Sequence, residues 1–139
     1  MLQANLYIAP RYILASDILL LMDTPLREPT FLILTALAKE PMHGYGLIGD
    51  VAALSDGRVT LRPGTLYGAL DRLVDAGLVE VDREEIVNGR ARRYYRLSPA
   101  GDARLTEETE RLRRNVEVAT IRLRARARTF RPRTAGGLA

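Results

Sequence analysis

The chain has 139 residues, of which 47% are hydrophobic and 27% are charged, proportions that are ordinary for a soluble domain. This length allows one domain with a hydrophobic core but is short for two domains. The chain has no cysteine and one histidine, His43, which excludes disulfides and thiolate sites and disfavours a zinc site or a Ser-His-Asp triad. We therefore predict that the protein is not an enzyme, has no metal site and no cofactor, and is cytoplasmic.

The net charge of +4 is distributed unevenly along the chain. Residues 122–139 contain six arginines and no acid, so residues 1–121 hold 15 basic and 17 acidic side chains, a net charge of −2. The high isoelectric point therefore says little about nucleic-acid binding by the first 121 residues. The arginine-rich end either adds sequence-independent DNA affinity through counterion release or is a solubilising end.

Residues 1–22 are rich in Leu, Ile and Tyr, but Pro10, Arg11 and Asp17 interrupt every apolar run. The longest clean run, residues 18–22, is too short to span a bilayer, and the segment lacks the basic start of a signal peptide. We predict an N-terminal extension with no membrane partner. Two interpretations stay open: a mis-assigned start, or an arm that contacts a dimer partner.

Two helices are predicted next. Residues 27–39 have an almost entirely apolar centre, which is typical of a buried helix. Proline and glycine at residues 40–44 end it. A second helix follows at about residues 45–54, and its Gly46 and Gly49 each cost roughly 1 kcal/mol relative to alanine. Because glycine has no side chain, its presence at these positions despite the cost suggests that another backbone comes close to them.

A third helix is predicted to begin at Pro63, where the missing N–H is tolerated, and to end with a C-cap at Gly77. Its apolar stripe, which would pack on the domain, consists of Leu66, Leu70 and Leu73.

The opposite face of this helix is a candidate for DNA recognition, because the N-terminal residues of a helix in the major groove reach base edges and phosphates. The predicted DNA-contacting residues of this helix are Arg62, Gly64, Thr65, Tyr67, Gly68 and Arg72. The alternative is an ordinary amphipathic helix with a solvated face. Asp71 and Asp75 favour that alternative because they would repel phosphate.

Two strands, at residues 78–86 and 91–97, are predicted to flank a turn at Asn88-Gly89, since a type I′ turn needs positive φ at both central residues. The hairpin tip is basic, with Arg90, Arg92 and Arg93, whereas the first strand carries four acids. We predict that these three arginines contact the DNA backbone or minor groove. Cross-strand pairing with the acids is the alternative, and both can hold.

The last helix is predicted to be capped by Ser98-Pro99. Its apolar residues recur at alternating spacings of four and three, as in a coiled-coil seam that is imperfect at Thr109. The predicted dimer-interface residues are Leu105, Leu112, Val116, Ala119 and Leu123. Beyond the helix, the Pro/Gly/Arg composition predicts disorder.

The order of elements predicts a mainly α fold with a small two-stranded β-wing (α+β), that is, a winged helix-turn-helix followed by a long C-terminal dimerisation helix. The predicted segments are an extension at 1–22, a DNA-binding domain at 23–97, a dimerisation helix at 98–128 and a basic tail at 129–139. His43 is predicted to be a hydrogen-bonded structural residue, and the two tyrosines after Arg93 are predicted to anchor the wing.

Three segments together resemble the PadR family of transcriptional regulators. Residues 41–45 (PMHGY), 63–73 (PGTLYGALDRL) and 93–101 (RYYRLSPAG) look like the family patterns PLHGY, GTLYxxLxRL and RxYYxLTxxG. Met42 and Gly68 depart from the usual leucine and the frequent proline. The resemblance implies a winged helix-turn-helix homodimer that represses promoters and is often released by a small-molecule effector. With no tryptophan in the chain, the tryptophan-lined pore of some relatives is not expected.

We therefore predict a sequence-specific transcriptional regulator that represses by binding double-stranded DNA at a palindromic operator as a homodimer. The alternative is a winged-helix module that binds another protein, which the net charge of −2 over residues 1–121 favours. A steep fall of affinity with salt would indicate DNA binding, and a shallow one a protein partner.

Overall fold

The structure, a computed structural model, describes residues 25–130 together with Ala15 and Asp17. The predicted N-terminal extension at residues 1–22 therefore lies almost wholly outside the described residues, and so does most of the predicted tail at residues 129–139.

Residues 28–129 form the predicted helices and strands in the predicted order, together with one strand, at residues 42–43, that was not predicted. They are α1 (Glu28–Lys39), β1 (Met42–His43), α2 (Gly44–Leu54), α3 (Pro63–Asp75), β2 (Val79–Val87), β3 (Arg90–Leu97) and α4 (Pro99–Thr129). The mainly α fold with a β-wing is confirmed. Within this part of the chain, no helix is long and apolar enough to cross a membrane.

The sheet has three antiparallel strands in the order β1-β3-β2, where the sequence predicted two. The added strand is β1, which pairs Met42 with Tyr95 and His43 with Tyr94. Because β1 has only two residues and follows a proline, its sequence shows no alternation of polar and apolar residues that could have predicted a strand. It exists because β3, some 50 residues later, offers it a free edge.

The hairpin between β2 and β3 turns as predicted. Asn88 and Gly89 have φ angles of 52° and 75°, the left-handed values that a type I′ turn requires. The register shifts between Val81 and Arg83, so that Asp82 is an extra residue on β2. This β-bulge changes which side chains of the two strands face each other beyond it.

The core lies between α1, α2, α3 and the inner face of the sheet. The predicted stripe of α3, Leu66, Leu70 and Leu73, is fully buried. It packs in one cluster with apolar residues of the other elements, among them Ile33, Leu34, Leu47, Val51, Leu78, Val79 and Tyr95.

The end of α3 is closed by two backbone hydrogen bonds. The N–H of Leu78 donates to the Leu73 carbonyl at 2.9 Å, and that of Gly77 donates to the Val74 carbonyl at 3.0 Å. Gly77 has a φ of 75°. This is a Schellman motif, and it confirms the predicted C-cap.

The start of α4 is held tightly against the root of the wing. As predicted, the Ser98 hydroxyl caps the helix by accepting the Gly101 N–H at 2.9 Å, and it also donates to the Gly77 carbonyl at 2.6 Å. The Ser98 N–H donates to the Leu78 carbonyl at 3.1 Å. A Cβ atom at Gly101 would collide with that same carbonyl. Only glycine therefore fits at position 101.

The glycines of α2 do not have the role that the sequence suggested. A Cβ atom at Gly49 would meet nothing within 4 Å, and one at Gly46 would meet only the His43 ring, at 3.6 Å. The prediction of a close backbone approach at these two positions is wrong, because the close contacts of the fold involve Gly44 and Gly101 instead.

The chain divides into two compact units that meet within α4, between Thr106 and Glu107. The first, the winged unit, includes the first turns of α4, where Leu105 packs against the core. The winged unit therefore continues past Leu97 into α4. We call residues 107–129 the distal α4.

We expect Gly101→Ala to lower the free energy of unfolding by about 1–3 kcal/mol, because the new methyl group must displace the Leu78 backbone. Gly49→Ala is the matched control: it adds the same methyl group in open space on a helix and should stabilise by about 0.5–1 kcal/mol. Urea denaturation of both variants measures the difference. Equal effects of the two substitutions would contradict the close contact at Gly101.

Candidate nucleic-acid interface

The first turn of α3 presents the predicted contact residues to solvent. Arg62, Gly64 and Thr65 are exposed. Arg62 is the N-cap residue, and no side chain caps the helix. A Cβ atom at Gly64 would meet nothing within 4 Å. The turn therefore offers main-chain N–H groups that an incoming oxygen can approach closely.

Further along α3, Gly68 and Arg72 lie on the face opposite the buried stripe. The Arg72 side chain bends back along the helix, with Nη1 3.6 Å from where a Cβ of Gly68 would lie. The predicted contact residue Gly68 is thus bordered by an arginine of the same helix.

Tyr67 joins α3 to the start of α2. Its side chain is half-buried, and its hydroxyl lies so close to Gly44 that a Cβ atom there would collide with it. Part of the predicted base-reading side chain therefore has a structural role. The rest of Tyr67 lines a cleft between the two helices and the wing.

This cleft has a volume of about 510 Å³. Tyr45 and Tyr67 line it on the helical side, and Arg90, Arg92 and Arg93 line it on the wing side. Of the predicted contact residues of α3, the cleft brings only Tyr67 together with the three arginines of the hairpin tip, and the other five do not line it. A polyanion in this cleft would meet positive charge from β3 on one side and aromatic rings on the other.

The arginines of the wing fall into two groups. Arg93 pairs with Glu84 at 2.8 Å, Arg96 with Glu80 at 2.9 Å and Arg83 with Glu85 at 2.8 Å. The Arg93 pair is the predicted cross-strand alternative, the Arg96 pair is also cross-strand, and the Arg83 pair lies within β2. Arg90 and Arg92, in contrast, make no salt bridge with any residue between 25 and 130. Arg92 lies opposite Glu85 in the strand register, and its charge contributes to the lowered pKa of that carboxyl, but the two side chains form no salt bridge.

His43 is a structural residue, as predicted. Its Nδ1 accepts the Gly46 N–H at 3.2 Å and so caps α2. Its ring meets the Tyr94 ring edge-on, with centroids 5.4 Å apart. Arg83 stacks on Tyr94 at 3.9 Å from the ring centroid. Burial, and then the charge of Arg92, lower the pKa of His43, which favours the neutral ring that the cap requires.

One aromatic residue at the site was not singled out from the sequence. Tyr45 is 71% exposed and borders the cleft from the first turn of α2. A large aromatic side chain directly after the glycine that starts a helix is the signal that could have identified it. Within the described range, no group of three His, Asp or Glu residues could hold a metal ion.

The predicted dimer-interface residues of the distal α4 are exposed in the single chain. Leu112 is 36% exposed, and Val116 and Leu123 are each 65% exposed. Ala119, between them, is exposed as well. Leu105 differs, because it packs partly against the core of the winged unit. The distal α4 thus presents an apolar seam to solvent.

Comparisons with known proteins agree with this architecture. Residues 33–107 match the transcriptional regulator PadR-like family. The transcriptional regulator Rv3488 of Mycobacterium tuberculosis is 44% identical over 80 residues, which are 58% of this chain and 71% of that protein.

Solved structures share the fold. A PadR family transcription regulator from Clostridium difficile superposes with a TM-score of 0.56 and 26% identity, covering 70% of this chain and 99% of the other. Bacillus subtilis PadR, solved in complex with operator DNA, gives a TM-score of 0.53 at 22% identity, covering 58% of this chain and 47% of that one.

We expect His43→Ala to destabilise the protein by about 1 kcal/mol, because Gly46 loses its hydrogen-bond acceptor. The native pKa of His43 is lowered, so its stabilising contribution is complete above the ordinary value of about 6.5 and declines as the pH falls below it. Thermal melts of wild type and variant between pH 7.5 and 5 measure this: the wild type should lose its advantage as the pH falls.

His43→Asn is the control for this prediction, since an asparagine can cap the helix but does not titrate. The His43→Asn variant should keep most of the wild-type stability at pH 7.5. Its stability, like that of His43→Ala, should change less with pH than that of the wild type. A wild-type profile parallel to that of both variants would contradict the proposed origin of the pH dependence.

Proposed function

The chain belongs to the PadR-like family of transcriptional regulators, and we propose that it is a repressor that binds a palindromic promoter site as a homodimer. One observation carries the proposal. Tyr67 of α3 lines one cleft of the winged unit together with Arg90 and Arg92, neither of which forms a salt bridge within the described residues, and the first turn of α3 before Tyr67 is exposed.

The first turn of α3 would enter the major groove, with Thr65 and the free edge of Tyr67 at the bases. Arg62 and the uncapped N–H groups would bind phosphate oxygens, and Gly64 would let the backbone approach them closely. The buried stripe on the opposite face holds α3 in this orientation.

The wing would contact the DNA backbone or the minor groove beside the recognition site. Arg90 and Arg92 are the side chains we propose for this contact, because neither forms a salt bridge with a carboxylate within residues 25–130. Arg93 is also predicted to contact DNA, but it would first have to break its ion pair with Glu84. We therefore rank its contribution below that of Arg90 and Arg92.

The homodimer is proposed from the exposed seam of the distal α4. Leu112, Val116 and Leu123 would be buried by a second copy, which is the usual reason for such a seam. Two identical winged units require a palindromic site with half-sites about 34 Å apart. The fold suits this role, since Bacillus subtilis PadR was solved in complex with operator DNA. Release from DNA by a small molecule, which the resemblance implies, is part of the proposal.

The test is a gel-shift titration on the protein's own upstream promoter DNA at two salt concentrations, with scrambled DNA as competitor. Binding at nanomolar protein that weakens steeply with salt and resists the competitor would support the proposal. Equal competition by scrambled DNA would overturn sequence-specific binding. A shallow salt dependence or no binding, together with capture of a protein partner, would favour the winged-helix interaction module.

We expect Thr65→Ala to weaken operator binding about five- to tenfold, the equivalent of about 1 kcal/mol, while leaving non-specific binding unchanged. Arg92→Ala should weaken binding to all sequences alike and reduce the log–log salt slope by about 0.9. Arg96→Ala is the matched control on the same strand, because Arg96 already pairs with Glu80. A change of salt slope for Arg96→Ala but not for Arg92→Ala would contradict the assignment.

A further inference from the structure

The cleft between the helices and the wing contains an aromatic side chain that the proposed function leaves without a role. Tyr45 is 71% exposed and lines the cleft from the first turn of α2. Tyr67 lines the same cleft from α3, and its hydroxyl is packed against Gly44. The helical wall of the cleft therefore has one ring that is held in place by packing and one that is open to water. Rings in this situation gain free energy when a flat ligand stacks on them.

The wall on the side of the wing carries guanidinium groups. Arg90 and Arg92 line the cleft and form no salt bridge within residues 25–130. Glu85, which lies opposite Arg92 in the strand register, is paired with Arg83 at 2.8 Å. Of the described residues that line the cleft, none is acidic. An anion in the cleft would therefore meet guanidinium groups without a carboxylate beside it.

Neutral groups complete the lining. His43 lines the cleft, and because its Nδ1 accepts the Gly46 N–H, the neutral ring carries its proton on Nε2, from which it can donate. The Asn88 amide adds a donor and an acceptor, and Val87 and Ala91 add apolar surface. Aromatic and apolar walls with a few polar groups are typical of small-molecule sites, and the cleft volume of about 510 Å³ lies within their usual range of about 300–1,000 Å³.

From this combination we propose that the cleft is a binding site for a small aromatic anion, that is, a flat ring that carries a phosphate or a carboxylate. The ring stacks on Tyr45 and Tyr67 at the helical wall. The anionic group is bound by Arg90 and Arg92, since a guanidinium donates two parallel hydrogen bonds to the oxygens of such a group.

A ligand in this cleft excludes DNA directly. This consequence rests on the proposed function, in which Tyr67, Arg90 and Arg92 contact DNA. Because these side chains cannot hold the ligand and DNA at once, the apparent Kd for the operator rises with ligand concentration and does not level off. A ligand at a separate site would instead raise this Kd only to a plateau, set by the coupling between the two sites.

The first experiment measures binding of 1-naphthyl phosphate to the full-length protein by isothermal titration calorimetry, without DNA. This probe joins a flat ring to a phosphate. 1-Naphthol, which has only the ring, and inorganic phosphate, which has only the anion, are its controls. We expect the probe to bind at least about tenfold more tightly than either control, because only the probe contacts both walls of the cleft. Equal binding of either control would overturn a site for an aromatic anion.

Variants locate the probe. Tyr45→Ala and Arg90→Gln should each weaken probe binding about fivefold or more, through loss of stacking and of a charged hydrogen-bond donor. Thr65→Ala and Arg96→Gln are the matched controls, because neither residue lines the cleft, and both should leave probe affinity unchanged. Circular dichroism and thermal melts check that each variant is folded. Unchanged probe affinity in both Tyr45→Ala and Arg90→Gln would overturn the cleft as the site.

The gel shift of the proposed function, repeated at increasing probe concentration, tests the competition. A rise of the apparent operator Kd without a plateau would support it. A plateau, or no change at probe concentrations that fill the cleft, would overturn it. Probe binding in the cleft of a protein that binds no operator would overturn the proposed function, and the competition with it, but leave the ligand site in place. The two failures are therefore distinguishable.

Discussion

The burial of the leucine stripe of α3 is the constraint on which the proposed recognition surface depends. Leu66, Leu70 and Leu73 are fully buried, and each contributes about 1.5–3 kcal/mol by leaving water. Because neighbouring helix positions differ by about 100°, turning α3 by one residue would expose this stripe and bury polar groups. The core thereby decides that Thr65 and Arg72 face outward. Any function of that face follows from hydrophobic packing on the other side.

Two close contacts made possible by glycine complete the winged unit. Gly44 lets the Tyr67 hydroxyl lie against the start of α2, and Gly101 lets the first turn of α4 lie against the Leu78 carbonyl. The first contact ties α3 to α2, and the second ties α4 to the root of the wing. Each contact joins elements far apart in sequence, so a single added methyl group at either position disturbs two elements at once.

Local patterns in the sequence were enough to predict most of the fold. The leucine stripe, the Asn88-Gly89 turn and the caps at Gly77 and Ser98 each depend on neighbours within a few residues. The strand β1 and the tight glycines were not predicted, because their partners lie far away in the chain. The same limit applies to the site: which wing arginine pairs with which acid depends on the strand register and on the bulge at Asp82.

With the homodimer proposed above, the exposed seam of the distal α4 would make the amount of protein a regulatory variable. A single chain leaves four apolar side chains of this seam in water, and a homodimer would cover them. While most chains are single, the concentration of dimers rises with the square of the chain concentration. The concentration of the DNA-binding dimer would therefore rise more steeply than the number of gene copies. Promoter occupancy would then switch over a narrow range of expression, with no effector involved.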